Sequence, residues 1–252
     1  MLSPYHRYKS TLPFLITRHR FRMDIAIQSS PEKINVLAHQ QYHSLDHLSP
    51  SNLPTNPLDL FRQWFTSVQG IVHEPEAMAL STASADGIPS TRIVLLKQAD
   101  NHGFVFFTNY NSRKSREMQA NPHASLAFYW REDHRQVRVV GPVEKVSREE
   151  SEAYFQTRPL GSKIGAWASN QSAAIAEGEL DHQINQIKKK FGVKEGDVDA
   201  DIPLPDHWGG WRVIPNEVEF WAGKPSRLHD RVCYRRWDGP TNSEWRIERL
   251  AP

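Results

Sequence analysis

The sequence predicts a mainly β member of the α+β class, a closed or nearly closed antiparallel barrel with helices at its periphery. Three observations point there. Strand-like runs follow one another across short turns rich in Gly, Asp and Asn. Helical periodicity is confined to a few segments. There is neither an internal repeat nor the βαβ alternation of a parallel sheet.

In chain order, the first helix is expected from Asn56, a good cap, with Pro57 suited to its first turn. Leu58, Phe61, Phe65 and Val68 recur at helical spacing, and Leu60 and Trp64 widen the apolar stripe. Next come "AMALSTA", the turn "SADGIP", "STRIVLLKQ", the turn "ADNHG" and "GFVFFTN", three strands that read as an antiparallel meander. "SRKSREMQAN" is a short helix that Asn121-Pro122 stops. "ASLAFYW" and "RQVRVVGPVEKV" are further strands. Ser147 and Glu150 make a capping-box pattern for a helix through Phe155. "SKIGAWA" is a short helix, and Ser172 to Phe191 a longer one ending at Gly192, with Lys188, Lys189 and Lys190 in its last turn. Val193 to Asp206 is a loop. The tail returns to strands: "GGWRVIP", "EVEFWAG", "RLHDRVCYRRW" and "EWRIERL".

The 252 residues are enough for one large domain, assigned here to residues 56–252, behind a leader, residues 1–55, that is disordered or in part lid-forming. Residues 1–23 hold Arg7, Lys9, Arg18, Arg20 and Arg22 and no acid. That start reads as a transit peptide, as a disordered leader, or as sequence upstream of a true start at Met23. Those five removed from 31 basic residues leave 26 against 29 acidic ones, so the body has no general attraction for nucleic acid. No apolar run reaches the ~18 residues of a membrane helix. Cys233 is the single cysteine, which excludes an internal disulfide and a Cys-rich zinc site and suits the reducing cytoplasm. No phosphate-binding loop, dinucleotide glycine fingerprint, nucleophile elbow or helical His pair is present, and no metal site is expected.

Cations in unusual positions are the remaining signal. Arg113 and Lys114 open a helix, where they oppose its dipole; a phosphate there would reverse the sign, with Ser112 adding a hydroxyl, and a solvated pair is the alternative. If "RLHDR" is strand, Arg227, His229 and Arg231 share a face, as functional groups or as an exposed edge. Trp221 precedes them and can stack on a planar ligand. Tyr154 and Arg158 share a helical face, with Ser162 just past the helix end that Pro159 imposes, a set suited to phosphate or a plain surface pair. Arg92 and Lys97 fall on opposite faces of a regular strand, so a bulge or bend is needed to bring both to one ligand. His134 reads as a surface residue.

Taken together, "RIVLLK" from Arg92, "FFTNYNSRKSREMQANP" from Phe106, "RQVRVVG" from Arg135, "YFQTRP" from Tyr154, "IGAWASNQS" from Ile164, "HWGGWRV" from His207, "EFWAGKPSRLHDR" from Glu219 and the terminal "WRIERLAP" closely resemble the pyridoxine (pyridoxamine) 5'-phosphate oxidase family. The resemblance spans about Asn56 to Pro252. It implies a split barrel that binds flavin mononucleotide (FMN) at the interface of a homodimer. It implies that FMN is held by Arg92, Ile93, Val94, Leu95, Leu96 and Lys97, by Phe107, Thr108, Arg113 and Lys114, and by Gln136, Gln171, Ser172, Trp221 and Arg231. It implies that Lys97, Tyr154, Arg158 and Ser162 hold the substrate phosphate, with Arg227, Leu228 and His229 at the pyridine ring and Arg227 and His229 as the catalytic pair. The implied reaction takes pyridoxamine or pyridoxine phosphate to pyridoxal phosphate, with dioxygen reduced to hydrogen peroxide. The family's Arg-rich lid is matched only by "AHQQYHS", which keeps Tyr42 and has His39 where an Arg is expected. Two other readings share many of these residues: an oxidase similar to those of phenazine biosynthesis, and a non-catalytic carrier of flavin or pyridoxal phosphate.

Overall fold

The structure, a computed structural model, describes the backbone of residues 27–30, 33–36, 41–239 and 242–252 and the side chains of 41–237 and 244–252. The leader readings of residues 1–23 and His39 lie outside the described residues. The chain forms two compact units, Met1–Gln41 and Tyr42–Pro252. In the first, β1 (Ile27–Ser30) and β2 (Lys33–Val36) pair as an antiparallel hairpin.

In the second unit Asn56 accepts a hydrogen bond from the Leu58 N–H and Pro57 opens α1 (Pro57–Val68), as expected from sequence. Ten strands follow: β3 (Ala77–Ala83), β4 (Pro89–Leu95), β5 (Gln98–Asp100), β6 (Gly103–Asn109), β7 (His123–Trp130), β8 (Arg135–Lys145), β9 (Trp208–Val213), β10 (Glu217–Ala222), β11 (Asp230–Gly239) and β12 (Asn242–Leu250). Their main path runs β12-β11-β10-β8-β7-β3-β4, while β6 pairs with β5 and β9, and β9 also with β8. Three strands do not form the expected simple meander, because β6 takes β9 as its partner rather than β4.

The barrel splits along one edge of β8. Arg135 to Val140 pair with β10, whereas Val143 to Lys145 pair with β9. Between them lies Gly141-Pro142. A Cβ on Gly141 would lie 1.8 Å from the Ile214 carbonyl oxygen, so only glycine lets the β9–β10 connection cross at that point. Pro142 has no N–H to leave unpaired there, and its carbonyl accepts from Ile214 N–H at 2.9 Å.

The interior is filled by α1 against the curled sheet. Phe61 meets Phe104 and Phe128 at ring separations of 5.0 and 5.2 Å, and Trp64 meets Phe220 at 5.2 Å. Leu48, upstream of Asn56, is buried in the same core, so the segment from Tyr42 packs with the body. A second cluster is built by α3 (Arg148–Gln156), α4 (Leu160–Ala168) and residues 202–208, and Phe107 packs on it. The helix expected from Ser172 starts only at Glu179 (α5, Glu179–Lys190). Positive φ at Ser172 (74°) and Gly178 (79°) keeps the intervening chain out of helical geometry.

Candidate functional site

β4 runs beside β3 as far as Leu95; then Leu96 N–H bonds to the Glu76 carbonyl and Lys97 N–H to the Val105 carbonyl, at 2.9 and 2.8 Å. The chain thus changes strand partners at Leu96–Lys97. This is the bend that the Arg92/Lys97 pair required: both line one cavity of about 330 Å³, with Ile93, Val94 and Leu95. Leu96 turns away into the core.

The opposite wall comes from Phe107, Thr108, Lys114 and Gln171, with Tyr154, Arg158 and Trp208 beside them. Four cations line the cavity and no acid does. α2 (Arg113–Ala120) begins here, and Ser112 caps it with no side-chain hydrogen bond to the helix backbone. Lys114 is 8% exposed, and its ammonium donates to Gln171 Oε1 (2.7 Å), Thr108 Oγ1 (3.1 Å) and Ser112 Oγ (3.2 Å), all neutral groups. Burial, aided by the Arg92 charge, pushes its pKa down to about 8. Arg113 lies outside the cavity wall, with its backbone N–H donating to Ser172 Oγ at 3.2 Å and its side chain paired with Glu117 at 2.8 Å.

Tyr154 and Arg158 both reach the cavity although Arg158 follows the end of α3. Burial lowers the Arg158 pKa against the opposing effect of Tyr154, and Arg158 Nη1 is buried with no hydrogen-bond partner. Ser162 lies past the end of α3, as expected, in the first turn of α4, which Pro159 caps, and does not line the cavity.

A second cavity, of about 320 Å³, holds Gln136, Trp221 and Arg231. Trp221 is the register partner of Gln136 on β8 and of Arg231 on β11, so the three form one row across three strands. Arg231 Nε bonds Glu219 at 2.7 Å, and Arg138 bonds the other Glu219 oxygen at 2.7 Å.

The expectation that Arg227, His229 and Arg231 share a strand face is corrected. Pro225–Arg227 is a 3-10 turn with φ of 57° at Ser226 and 64° at Arg227, and β11 starts at Asp230. Only Arg231 is on the strand; Arg227 and Leu228 are exposed. His229 Nδ1 accepts the Lys224 N–H at 3.0 Å, which assigns the neutral ring's proton to Nε2. Burial, then the Arg227 and Arg231 charges, lowers its pKa. Its ring lies 4.5 Å from Trp221, and Tyr42 stands edge-on to both at 5.8 and 5.2 Å. His134 is not a plain surface residue: it is half-buried, edge-on to Tyr42 at 5.5 Å, and its Nδ1 accepts the His43 N–H.

Sequence reasoning assigned no role to two site residues. Glu117 binds Thr82 and Ser90 hydroxyls at 2.5 and 2.6 Å and pairs with Arg92 and Arg113. Burial would raise its carboxyl, but hydrogen bonds from Ser90, Thr82 and Arg113 outweigh it and hold it at about 2. Its helical spacing of four from Arg113 was the available signal. Trp208, quoted only within a motif, is buried and stacked near-parallel with Phe107 and Tyr154, at 5.6 and 6.2 Å. Among the described residues no three His, Cys, Asp or Glu gather as metal ligands, and no helix is long and apolar enough to cross a membrane.

These features define the class as a split-barrel protein with an acid-free cationic cavity. In solved structures the same fold occurs in PhzG from Burkholderia lata 383 in complex with tetrahydrophenazine-1-carboxylic acid (TM-score 0.73, 31% identity, 83% of this chain and 100% of that one). It also occurs in a pyridoxamine 5'-phosphate oxidase-related, FMN-binding protein from Nostoc punctiforme (TM-score 0.61, 16% identity, 78% and 98%). The family described as pyridoxamine 5'-phosphate oxidase matches residues 66–190, and the pyridoxine 5'-phosphate oxidase C-terminal dimerisation region matches residues 208–252. Pyridoxine/pyridoxamine 5'-phosphate oxidases of Paraburkholderia phytofirmans and Thermosynechococcus vestitus are 51% and 48% identical, over 83% and 81% of this chain and 95% and 93% of theirs. The chain belongs to the pyridoxine/pyridoxamine 5'-phosphate oxidase family.

Proposed function

We propose that the protein oxidises pyridoxamine 5'-phosphate or pyridoxine 5'-phosphate to pyridoxal 5'-phosphate, with FMN as cofactor, dioxygen as electron acceptor and hydrogen peroxide as product. The observation that carries this reading is the cavity lined by Arg92, Lys97, Lys114 and Arg158 without an acid. Lys114 is buried and Arg92 and Arg158 are half-buried, and positive charge so placed is costly unless an anion meets it. A phosphate suits the two most telling groups, an ammonium with only neutral partners and a guanidinium with a buried, unpaired Nη1.

Arg92, Lys114 and the α2 start, with Arg113, Thr108, Gln171 and Ser172, are the groups that would hold the FMN phosphate. When bound, FMN supplies a two-electron acceptor that dioxygen regenerates. Lys97, Tyr154, Arg158 and Ser162 would take the substrate's phosphate ester. Arg227 and His229 would orient the pyridine ring, with His229 presenting an Nε2–H donor rather than a base. Leu228 would pack beside them.

We also propose a homodimer. Among the described residues the outer edge of β4 has no strand partner, and Ile93, at 66% exposure, lies on that strand. A second copy would cover that edge and bring its own Gln136, Trp221 and Arg231 to the first copy's cavity, completing one flavin site from two half-sites. The buried free thiol of Cys233 fits a cytoplasmic placement.

The test is peroxide release. Purified protein should carry a flavin that denaturation releases as FMN, and should form peroxide with pyridoxamine 5'-phosphate far faster than with pyridoxamine. Release of flavin adenine dinucleotide, or no peroxide from either substrate, would refute the proposal.

A further inference from the structure

We propose that Trp208 is a positioning residue that sets the preference for a phosphorylated substrate: its indole face holds the Arg158 guanidinium without consuming the charge or the N–H donors. The inference rests on the oxidase reading above, which makes the Arg158 cavity the seat of the substrate's phosphate ester.

An arginine that is to meet a phosphate must be fixed in place and yet not neutralised. A carboxylate would fix it but cancel its charge. Arg158 is fixed differently. Its guanidinium carbon stands 4.6 Å from the centroid of Trp208 and 5.7 Å from that of Phe155. Among the described residues it has no carboxylate partner, and its buried Nη1 has no hydrogen bond. A cation over an aromatic ring is held through the guanidinium's flat face, and its donors lie in the guanidinium plane, so both remain available to a ligand.

The local sequence explains how the platform is made. Trp208 begins β9 and is followed by Gly209 and Gly210. A Cβ on Gly210 would come within 2.9 Å of Phe107 Cε1, and one on Gly209 within 2.2 Å of the Tyr110 hydroxyl. Gly210 therefore lets Phe107 lie against β9, and Gly209 leaves room for Tyr110. Phe107 in turn is nearly parallel to Tyr154 (4.1 Å, 17°) and to Trp208 (5.6 Å, 11°). The three rings form one wall, and Trp208 within it is 6% exposed. That wall holds no carboxylate to compete with a phosphate.

The experiment measures equilibrium binding of pyridoxal 5'-phosphate and of pyridoxal to the flavin-loaded enzyme, with kcat and KM for pyridoxamine 5'-phosphate. Wild type, Trp208→Leu, Trp208→Phe, Arg158→Ala and the Trp208→Leu/Arg158→Ala double variant are compared. A cation–π contact predicts that Trp208→Leu weakens pyridoxal 5'-phosphate binding about twofold to thirtyfold. Pyridoxal binding should move far less, and KM should rise by a larger factor than kcat falls. Trp208→Phe should recover most of the loss, and Trp208→Leu should add nothing once Arg158 is gone. Equal weakening of both ligands, or an undiminished effect without Arg158, overturns the role of Trp208. If Trp208→Leu yields no soluble protein, Trp208→Phe alone decides: a small loss confined to the phosphorylated ligand supports the role, and a loss shared by both ligands or no loss overturns it. A wild-type enzyme that does not distinguish the two ligands overturns the oxidase reading itself. One that does, beside a Trp208→Leu variant that distinguishes them as well, overturns only this inference.

Discussion

Arginines and lysines occupy two regions of this molecule on opposite terms. Around Glu219 they are paired: Arg138 bonds Glu217 and Glu219 at 2.6 and 2.7 Å, Arg231 bonds Glu219 at 2.7 Å, and Arg235 reaches Glu217 at 3.3 Å. Burial lowers the Arg138 pKa, but the two glutamates outweigh it and the net shift is upward; Arg235 is also raised, by its contacts with Cys233 and Glu217. In the β4 cavity the shifts run the other way. Burial lowers Arg92, Lys114 and Arg158, and in Arg92 it does so in spite of Glu117. The first region spends its charge within the protein, and the second keeps it. A row of arginines in a sequence says nothing about which of these it will be; the count of carboxylates within reach decides.

That contrast breaks most sharply at Arg158. Arg158→Ala should raise KM for pyridoxamine 5'-phosphate about tenfold to a hundredfold, the loss of a charge-assisted hydrogen bond of roughly 1.5–3 kcal/mol. Thermal unfolding of the cofactor-free variant should be no earlier than that of the parent, since an uncompensated buried charge is gone. A fall in Tm with an unchanged KM would place Arg158 with the paired cations instead.

The reverse is expected at Glu219. Glu219→Gln removes the anion that Arg138 and Arg231 share, and both guanidiniums can still reach water in part. Unfolding should cost on the order of 2 kcal/mol less by denaturant titration. Arg231 would lose its anchor, so flavin retention should fall as well. A variant as stable as the parent would mean that Arg231 is held by its bond to the Ala251 carbonyl alone.

The same contrast marks what was legible in the sequence. α1 was readable because its cap and its apolar stripe are local facts, and Asn56, Pro57 and the buried Leu58, Phe61 and Trp64 stand where the periodicity put them. The break at Leu96–Lys97 was not. "STRIVLLKQ" is uniformly strand-forming, and the chain bends there because Leu96 still bonds the Glu76 carbonyl while Lys97 bonds the distant Val105. "RLHDR" failed as a strand for a related reason: Pro225 and the Lys224 N–H to His229 contact close a turn that a residue-type pattern does not encode. The helix expected from Ser172 was lost to the positive φ of Ser172, a conformation that serine rarely adopts and that residue type does not announce. In the candidate site Arg113 and Lys114 were visible from sequence because cations at a helix start are locally unfavourable, whereas Arg92, Lys97 and Arg158 stood out by spacing and by the family resemblance. Trp208 and Glu117 were hidden because an indole in a strand and a glutamate in a helix are locally ordinary.

The smallest effect, and the one that sharpens the comparison furthest, belongs to Lys114. Its pKa in the folded, cofactor-free protein is about 8, below the ordinary 10.5. Between those values the unfolded chain binds more protons than the folded one, so stability rises with pH through the window from about 8 to 10.5. Below pH 8 the fold carries the cost of a buried ammonium. A bound phosphate should reverse the preference by favouring the charged form. FMN binding then takes up a proton above pH 8, and affinity must weaken as pH rises. The charged fraction of a group with a pKa of about 8 drops from roughly 0.9 at pH 7 to roughly 0.25 at pH 8.5, so the affinity of the cofactor-free protein for FMN should fall by up to about fourfold over that interval. Lys114→Met should bind FMN more weakly at pH 7, lose that pH dependence, and no longer gain stability between pH 8 and 10.5. Flavin titrations and denaturant melts at the two ends of each interval provide the measurement. If the parent binds FMN equally well at pH 7 and 8.5, Lys114 keeps its proton without the phosphate, and the cavity's charge is balanced by groups other than the ligand.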